Sequence, residues 1–461
     1  MRLTVIGCGY LGAVHAAAMA DLGHHVLGVE TDPARLALLA RGQAPFYEPG
    51  LDELLRRGAR TGRLRYTAEL DGAAARADVH FLAVGTPQSP SGRGADLSHL
   101  WRAVDSLAAV LPRCVHPDGM PLVVGKSTVP VGTAQQVADR LAGRALVVWN
   151  PEFLREGMAV ADTLSPDRIV YGLPDEPARA ERARTILDEV YAPILAAGAP
   201  RLTMGYQTAE LVKTAANAFL ATKISFINAM SALCAATGAD VTVLADAIGR
   251  DARIGPHFLR AGLGFGGGCL PKDLRGLEQR AAELGANGLA SFLGRVDSIN
   301  RGQRDRVTQM ALEALGPNPA GRAVTILGIT FKPDSDDLRD SPVLEVALRL
   351  ADAGAVVTVH DPRGLAGLRR LHPVLRTQPD ALRALEGAEL VILGTEWKEL
   401  TDLDPEAAAA RVARPVLIDA RNALAPSRWT AAGWDYRGIG RPSGPRRSAP
   451  RHRALAGTMV G

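Results

Sequence analysis

The stretch Leu3-Thr4-Val5-Ile6-Gly7-Cys8-Gly9-Tyr10-Leu11-Gly12 decides the fold of the N-terminal part of the chain. Its first four residues predict a buried strand, and the glycines that follow have the spacing G-x-G-x-x-G. Between a strand and a helix, Gly7 makes the tight turn, Gly9 lets the backbone approach a pyrophosphate, and Gly12 lets helix and strand pack closely. The free amides of the helix N-terminus then bind the phosphates. The stretch therefore predicts a dinucleotide site.

An acidic residue, Glu30, follows the next predicted strand, 18 residues after Gly12. A carboxylate there can accept hydrogen bonds from both adenosine ribose hydroxyls and repels a 2′-phosphate, which favours NAD over NADP. The loops 84–87 and 126–130 follow later apolar runs, and ligands of open α/β sheets bind outside the carboxyl ends of strands. We therefore expect Thr86 and Thr128 to face the cofactor, although ordinary turn chemistry would also explain them.

Short apolar runs alternate with helical segments over most of the chain, as in parallel α/β sheets that are buried on both faces. In the first part the predicted strands are Leu3–Ile6, His25–Val29, Val79–Val84, Leu122–Val124 and Ala145–Trp149. A Pro/Gly-rich break at 316–321 precedes four more runs, AVTILGI, AVVTVHD, LVILGT and PVLIDARN. The intervening segment 209–236 lacks Gly and Pro and predicts one long helix that ends at Gly238. We expect an α/β protein with two Rossmann-like parallel-sheet domains joined by a long central helix.

The basic balance of the chain comes from its C-terminus. The formal net charge is +4, and six arginines but no acidic residue follow Asp435, so the rest of the chain carries about −2. This disfavours a nucleic-acid-binding face. Residues 441–461, rich in Arg, Pro, Gly and Ser, predict a disordered tail. A solvated terminus is the favoured interpretation, and contact with a membrane surface or a polyanion stays open.

The four cysteines are Cys8, Cys114, Cys234 and Cys269, and none forms a Cys-x-x-Cys pair. This pattern indicates neither a metal site nor a disulfide framework and fits a reducing compartment. The N-terminus lacks the pattern of a signal peptide, and no uninterrupted apolar run has the length of a membrane span. We expect a cytoplasmic protein without membrane insertion.

The most unusual segment is 262–273, GLGFGGGCLPKD, whose five glycines in seven residues predict a loop that closes on a ligand. A thiol, an amine and a carboxylate follow, at Cys269, Lys272 and Asp273. A thiolate that adds to an aldehyde gives a thiohemiacetal, which can lose a hydride and become a thioester. Beside a nicotinamide site, these residues favour Cys269 as a nucleophile over its alternative role as a small buried hydrophobe.

Two further groups of polar residues are candidates for chemistry. Glu210, Lys213 and Asn217 share one face of the long helix, where they either have polar partners or form a surface stripe. Glu152 and Glu156 lie in Asn150–Gly157, directly after a predicted strand. They suit acid–base work or the capping of the next helix.

These residues and motifs resemble the UDP-glucose/GDP-mannose dehydrogenase family. The matching stretches run in family order from residue 1 to about 440: GCGYLG, VGTP, KSTVPVGT, NPEFLREG, PDRIVYG, AELVKTAANAFLATKISFINAM, 251–273, LGITFKPDSDDLRDSP, GTEW and DARN. The resemblance implies an NAD-binding domain at 1–200, a helical dimerisation domain at 201–315 and a UDP-sugar-binding domain at 316–440. It further implies two hydride transfers to NAD, a nucleotide-sugar substrate and a homodimer.

The resemblance also implies roles for individual residues. The catalytic residues would be Cys269 as nucleophile, with Lys213, Asn217, Asp273, Thr128 and Glu152. The cofactor would be bound by Gly7, Gly9, Tyr10, Leu11, Gly12, Glu30, Arg35, Thr86, Thr128, Glu156 and Lys272. The substrate would be bound by Phe153, Leu154, Glu156, Lys213, Asn217, Arg253, Phe258, Gly266, Lys332 and Arg421. Among these, Arg253 would reach the substrate of the neighbouring subunit.

The sequence departs from the family beside the nucleophile, where the usual G-G-S-C-F reads Gly266-Gly267-Gly268-Cys269-Leu270, with Gly268 and Leu270 as the departures. GTEW and the long helix resemble the UDP-glucose branch, so we expect oxidation of UDP-glucose to UDP-glucuronate. UDP-N-acetylmannosamine, UDP-N-acetylglucosamine and GDP-mannose stay open as substrates. The alternative from another class is a non-catalytic NAD-binding redox sensor. Such a protein would need none of the residues Lys213, Asn217, Cys269 and Asp273, yet the sequence contains all four, which disfavours it.

Overall fold

The computed structural model describes residues 1–70, 76–90, 94–112 and 119–442. Cys114 and all but the first two residues of the predicted tail, 441–461, lie outside these ranges.

The N-terminal unit is built on an eight-stranded sheet in the order β3-β2-β1-β4-β5-β6-β7-β8. The strands are β1 Arg2–Ile6, β2 His25–Val29, β3 Leu64–Thr67, β4 Val79–Leu82, β5 Leu122–Gly125, β6 Leu146–Trp149, β7 Ile169–Leu173 and β8 Arg201–Gly205. All neighbours pair in parallel except β6 and β7, which meet antiparallel at Trp149 and Gly172. The strand order reverses between β1 and β4, and ligands of such sheets bind at this point.

Helices cover both faces of this sheet. They are α1 Tyr10–Asp21, α2 Pro33–Ala40, α3 Leu51–Arg60, α4 Ser98–Val110, α5 Thr133–Arg140, α6 Ala159–Leu164, α7 Pro177–Val190 and α8 Ala192–Ala196. One core lies against α1 and α3 and another against α4 and α5. Strand β8, Arg201–Gly205, pairs in parallel with β7 at the edge of this sheet.

The long central helix is α9, Tyr206–Thr237, and it ends at Gly238 in the left-handed conformation (φ 75°), as predicted. With α10 Val241–Gly249, α11 Leu270–Glu283 and α12 Asn287–Leu315 it forms the middle of the molecule. Within the described ranges, α9 is long and apolar enough to cross a membrane by length and composition alone. It also packs on α11 and α12, with Glu210 and Lys213 buried along it, as core helices do.

The C-terminal unit repeats the topology of the first on a smaller scale. Its six strands are all parallel, in the order β11-β10-β9-β12-β13-β14. They are β9 Ala323–Leu327, β10 Val356–His360, β11 Arg376–Thr377, β12 Leu390–Leu393, β13 Val416–Asp419 and β14 Asp435–Gly438. The helices are α13 Pro342–Asp352, α14 Leu365–Leu371, α15 Ala381–Ala384, α16 Lys398–Thr401, α17 Pro405–Ala409 and α18 Pro426–Ala431. The expected α/β fold with two Rossmann-like sheets and helices between them is confirmed.

Candidate active site

The glycine loop between β1 and α1 has the geometry of a dinucleotide cradle. Gly7 has φ +86°, where a side chain would be strained and would meet Val84 at 2.8 Å. A Cβ on Gly12 would lie 1.8 Å from the carbonyl oxygen of Gly7, so helix and strand are in close contact there. A Cβ on Gly9 would have no heavy atom within 4 Å, so the backbone at Gly9 is open to a ligand. These three observations fit the pyrophosphate of a dinucleotide.

Glu30 lies at the end of β2 with its side chain buried, and it ion-pairs with Arg35 at 3.0 Å. The other carboxylate oxygen of Glu30 accepts from the backbone amide of Asp32 at 2.8 Å. The structure thus brings Glu30 and Arg35 together at the edge of the sheet where the glycine loop lies. In open α/β sheets of this kind, an acid at this position accepts from the adenosine ribose of a dinucleotide.

A cleft that is open to solvent lies between the N-terminal sheet and the central helices. Thr86 and Thr128 line it from the ends of β4 and β5, and Lys272 and Asp273 line it from α11. The hydroxyl of Thr86 donates to the carbonyl oxygen of Thr128 at 2.7 Å, which joins the two loops. The sequence predicted that both threonines face the cofactor. In the structure they line one wall of this cleft, and α11, the helix that follows Cys269, lines the opposite wall.

Cys269 is the N-cap residue of α11 and is exposed to solvent. Crowding by surrounding protein atoms raises the pKa of the thiol well above its usual range, and the charges of Glu152 and Asp273 add to this. Lys213 and Lys272 act in the opposite direction. Cys269 is therefore a neutral thiol near pH 7 and needs a proton acceptor before it can attack.

Asp273 is fully buried and joins two predicted site residues. One carboxylate oxygen accepts from the Asn217 amide at 2.7 Å and the other from the Lys272 ammonium at 2.5 Å. The backbone amide of Asp273 donates to the carbonyl oxygen of Cys269 at 3.0 Å. Asn217 on α9 is thereby held against the segment that carries the thiol.

Lys213 is buried on α9, and its ammonium lies 2.9 Å from a carboxylate oxygen of Glu152. The second oxygen of Glu152 accepts from the backbone amide of Leu154 at 2.8 Å. Burial disfavours the charged ammonium, but Glu152, Cys269 and Asp273 outweigh it, so the pKa of Lys213 lies above its usual value. Lys213 is therefore a charged hydrogen-bond donor and not a general base at neutral pH.

The loop after β6 contributes two more predicted residues. The ring of Phe153 lies 5.7 Å from the Lys213 ammonium and 4.0 Å from the guanidinium of Arg168. Leu154 packs on the core beside α1. Glu210, the third polar residue of the helix face, instead accepts from the amides of Gly132 and Ala134 and caps α5. The polar face of α9 is thus paired and buried and is not a surface stripe.

Glu156 lies where the N-terminal and C-terminal units meet. Its carboxylate accepts from Ser335 at 3.2 Å and from Arg339 at 3.3 Å, and its carbonyl oxygen accepts from Lys332. Burial raises the pKa of Glu156 to about 7, and the neighbouring charge of Asp337 adds to the shift. Burial also lowers the pKa of the Lys332 ammonium. The carboxylate and the cation therefore titrate closer to neutrality than exposed groups would.

Arg421 follows β13 and joins the C-terminal sheet to the glycine-rich loop. It donates to the carbonyl oxygens of Gly394, Gly264 and Phe331 at 2.7, 3.1 and 3.0 Å. A Cβ on Gly266 would lie 2.3 Å from the carbonyl oxygen of Asp340. Gly266 therefore allows the loop to approach the C-terminal unit closely, and Arg421 fixes it there.

Arg253 and Phe258 do not join this cluster within the protomer. Arg253 is almost fully exposed and pairs with Asp251 at 2.6 Å, two residues away. Phe258 is 40% exposed and has φ +61°, an unusual backbone conformation for a bulky residue. Both lie in the segment between α10 and α11, on a surface of the central helices.

Two polar residues of the site were missed from the sequence. Glu48 is buried and accepts hydrogen bonds from Gly157 and Ala159 in the Glu156 loop, at 2.7 Å each. Arg339 lies beside Gly268, where a Cβ would fall 2.5 Å from the guanidinium carbon. The absence of a side chain at 268, the departure from the family pattern, is what makes room for this guanidinium. The one sequence feature that could have indicated Glu48 is its place as an acidic residue within the Pro/Gly-containing loop 45–50.

Comparison with known proteins identifies the chain. Three domain models match it: the NAD binding domain, the central domain and the UDP binding domain of the UDP-glucose/GDP-mannose dehydrogenase family, at residues 1–195, 207–302 and 325–426. The chain belongs to this family. Its cofactor is NAD, and it is a dehydrogenase of the UDP-glucose 6-dehydrogenase type.

Individual members of the family match over nearly their whole length. UDP-glucose 6-dehydrogenase of Rhizobium meliloti is 40% identical, covering 96% of this chain and 100% of the relative. The enzyme of that name from Pseudomonas aeruginosa is 41% identical, covering 96% and 98%. Among solved structures, a UDP-glucose dehydrogenase from Pyrobaculum islandicum has a TM-score of 0.85 at 38% identity, covering 95% and 98%. A UDP-D-ManNAc dehydrogenase from Pyrococcus horikoshii has 0.81 at 26%, covering 96% and 100%.

Proposed function

We propose that this dehydrogenase oxidises UDP-glucose to UDP-glucuronate in two successive two-electron oxidations, with Cys269 as the covalent nucleophile. The observation that carries the proposal is the thiol of Cys269 at the start of α11, acted on by the charges of Lys213, Glu152 and Asp273. The names of the relatives at about 40% identity support UDP-glucose as the substrate. NAD, when bound, supplies the hydride acceptor for both oxidations.

In the first oxidation the C6 alcohol loses a hydride and its hydroxyl proton and becomes an aldehyde. The charged Lys213 stabilises the developing alkoxide, because a buried donor acts more strongly in a site that excludes water. Thr128 and Glu152 hold the water that takes the proton. Support for these roles comes from Thr128 in the wall of the cleft and from Glu152 paired with Lys213.

In the second oxidation the sulfur of Cys269 forms a bond to the aldehyde carbon, and the thiol proton leaves through the water beside Glu152. The resulting thiohemiacetal loses a hydride and its hydroxyl proton and becomes a thioester. Water then breaks the carbon–sulfur bond, which releases the carboxylic acid and restores the thiol. Lys213 and the side-chain amide of Asn217, which Asp273 orients, stabilise the oxyanions of addition and hydrolysis by donating to them.

The nucleotide part of the substrate is held by the C-terminal unit. Lys332 follows β9 and Arg421 follows β13, so both come from the carboxyl edge of this sheet beside its switch point. A lysine and an arginine suit the two phosphates of UDP. The contact of Lys332 with the Glu156 carbonyl oxygen supports a position of this cation between the nucleotide and the loop 150–157, called the sugar loop below.

The assembly that we propose is a homodimer formed through α9. Three large apolar side chains, Phe219, Phe226 and Leu233, repeat every seven residues along this helix and are 67%, 52% and 54% exposed. Repeats of seven place them on one face, and Val243 of α10, 66% exposed, adds to the apolar surface. A second copy of the same face would cover this surface, as isologous dimers do. The exposed Arg253 would then reach the partner's site.

The compartment follows from the chemistry that we propose. A nucleophilic thiol must stay reduced between turnovers, and a reducing cytoplasm keeps it so. This supports a cytoplasmic location for the enzyme.

The test is an assay of purified protein with NAD and a panel of nucleotide sugars, in which NADH is followed. The proposal predicts two NADH per UDP-glucose and a lower kcat/KM for UDP-N-acetylmannosamine, UDP-N-acetylglucosamine and GDP-mannose. A preference for one of those sugars would make the chain a sister enzyme of the same chemistry. No NADH with any nucleotide sugar would refute the enzymatic proposal and favour a redox sensor.

The role of Arg253 across the dimer is tested by mixing two inactive variants, Arg253→Ala and Cys269→Ala, after dissociation and reassociation. If Arg253 serves the partner, the mixed dimer has one complete site, so a 1:1 mixture regains about a quarter of wild-type activity. If Arg253 acts within its own protomer, the mixture stays inactive.

A further inference from the structure

We propose that Glu48 is a positioning residue that joins three parts of the molecule: the glycine loop 7–12, the sugar loop 150–157 and the C-terminal unit. Through these contacts, bound NAD strengthens the binding of the nucleotide sugar, and the nucleotide sugar strengthens the binding of NAD. The nature of the sugar nucleotide rests on the proposed function above. The connection itself rests on the contacts of residues 46–48.

The first part of this connection is a buried carboxylate with three donors. Glu48 is 5% exposed and accepts from the Tyr10 hydroxyl and from the backbone amides of Gly157 and Ala159. Tyr10 belongs to the glycine loop of the dinucleotide cradle, and its ring lies 4.5 Å from that of Phe46. One carboxylate therefore holds both the cofactor loop and the loop that carries Glu156.

The second part connects the same segment to the C-terminal unit. The backbone amide of Tyr47 donates to a carboxylate oxygen of Asp336 at 3.2 Å, and the Arg363 guanidinium lies 4.3 Å from the Tyr47 ring. Asp336 and Arg363 both belong to the unit that carries Lys332 and Arg421. A displacement of this unit would therefore shift residues 47 and 48 through the contacts of Tyr47 with Asp336 and Arg363.

The third part closes the connection at Gly157. With φ +79°, its Cβ position lies 2.7 Å from the carbonyl oxygen of Asp334, so Gly157 is held between Glu48 and the C-terminal unit. Glu156, the preceding residue, is bound by Lys332, Ser335 and Arg339 of that unit. The sugar loop is thus fixed from both sides, by Glu48 on one and by the nucleotide-binding unit on the other.

These contacts give Glu48 a role distinct from filling space. Ordering of Tyr10 by a bound dinucleotide orders Glu48, and Glu48 orders the amides of Gly157 and Ala159, next to the residue that contacts Lys332. Ordering of the C-terminal unit by UDP acts on the same amides from the other side. Two ligands that order one shared element bind with positive coupling, and this coupling is reciprocal.

The variant that tests the proposal is Glu48→Gln, which keeps the size of the side chain but replaces an acceptor oxygen by a donor. The glutamine keeps one acceptor oxygen for the amides of Gly157 and Ala159, and the Gly157 amide keeps only its longer contact with the Tyr10 hydroxyl at 3.1 Å. Hydrogen exchange of the ligand-free protein should show faster exchange at 157 and 159 in Glu48→Gln than in the wild type. Unchanged exchange at both amides would overturn the proposal.

The second measurement is calorimetric binding of UDP in the absence and presence of saturating NAD. UDP is not oxidised, so this result does not depend on turnover, and the proposed function can fail while the coupling is still measured. The wild type should bind UDP about 5-fold or more tightly with NAD present, and Glu48→Gln should reduce the effect to less than about 2-fold. Absence of coupling in the wild type, or equal coupling in both proteins, would overturn the proposal.

Two further variants keep the test decisive if Glu48→Gln does not fold. Tyr10→Phe removes one hydroxyl at the cofactor end, and Arg363→Ala removes the guanidinium over Tyr47 at the other end. Each should reduce the coupling between NAD and UDP. Lys398→Ala, which breaks an exposed pair with Asp402 elsewhere on the C-terminal unit, should leave it unchanged. Full coupling in both end variants would contradict the proposal.

Discussion

The ammonium of Lys213 lies 2.9 Å from a carboxylate oxygen of Glu152, although the two residues come from the central helix and from the loop after β6. Only 5% and 12% of the two side chains are exposed. A buried cation and a buried carboxylate each depend on the other, because an isolated charge in such a place is strongly disfavoured. The pair therefore helps to keep Lys213 charged and holds the loop after β6 against the central helix.

We predict that Lys213→Met lowers the free energy of unfolding by about 2–4 kcal/mol, because Glu152 loses its cation while buried. The double variant Lys213→Met/Glu152→Gln should regain most of this stability, since no unpaired charge remains, and should still form no NADH. Urea unfolding of Lys213→Met, Glu152→Gln and the double variant gives the coupling free energy between the two side chains. Destabilisation of the double variant by the sum of the two single effects would show that the pair is not coupled.

The thiol of Cys269 is predicted to react slowly near neutral pH. Crowding and the carboxylates of Glu152 and Asp273 raise its pKa, so the thiolate fraction and the alkylation rate rise only above the pH at which an ordinary cysteine ionises. The rate of iodoacetamide labelling at Cys269, followed by peptide mass spectrometry between pH 6 and 10, measures this. Cys269→Ser gives the background from the other cysteines. A midpoint below that of a free cysteine would contradict the prediction.

Glu156 should make the protein less stable as the pH rises. Its folded pKa of about 7 lies above the usual value of 4.5, so the folded state holds the proton more tightly than the unfolded state does. Stability from this group is present below pH 4.5 and is lost between about pH 4.5 and 7. We therefore expect Glu156→Gln to gain stability relative to the wild type over this range, on the order of 1–3 kcal/mol. Thermal unfolding of both proteins at pH 5 and pH 8 tests it; an equal difference at both pH values would exclude it.

Gly268→Ala is predicted to lower kcat/KM by about 10-fold or more, because its Cβ would lie 2.5 Å from the Arg339 guanidinium carbon. Asp337 and Glu156 accept from that guanidinium at 2.9 and 3.3 Å, so its shift away from a new Cβ would disturb these two contacts beside the site. Gly302→Ala is the matched control, since Gly302 lies within α12 with no heavy atom near its Cβ position. This control should keep full activity and gain about 0.5–1 kcal/mol of stability. Wild-type kinetics of Gly268→Ala would contradict the prediction.

Local sequence patterns were sufficient for the parts of the fold that local physics decides. The strand His25–Val29 was predicted to the residue, and the different roles of Gly7, Gly9 and Gly12 followed from one spacing. The end of the central helix followed from Gly238, which supplies the left-handed conformation. In each case the determining residues lie within a few positions of the feature.

The parts that were missed depend on contacts between distant segments. The partners of Lys213 and Asn217 are 61 and 56 residues away, at Glu152 and Asp273, so no spacing along the chain pairs them. The strand Ile169–Leu173 was also missed; it pairs in parallel with β8 over its whole length and meets β6 antiparallel at a single position. Glu48 was missed for the same reason as the partners of Lys213 and Asn217, because its three donors lie far from it in sequence, at Tyr10, Gly157 and Ala159.

The most direct test of the central claim uses the intermediate aldehyde, UDP-6-aldehydo-glucose, with wild type and Cys269→Ser side by side. With NADH, both proteins should reduce the aldehyde to UDP-glucose at similar rates, which shows that Cys269→Ser folds and binds. With NAD, the wild type should form UDP-glucuronate and one NADH per aldehyde, whereas Cys269→Ser should form neither at a measurable rate. Oxidation of the aldehyde by Cys269→Ser at the wild-type rate would show that its hydrate donates the hydride directly and would contradict the covalent role of Cys269.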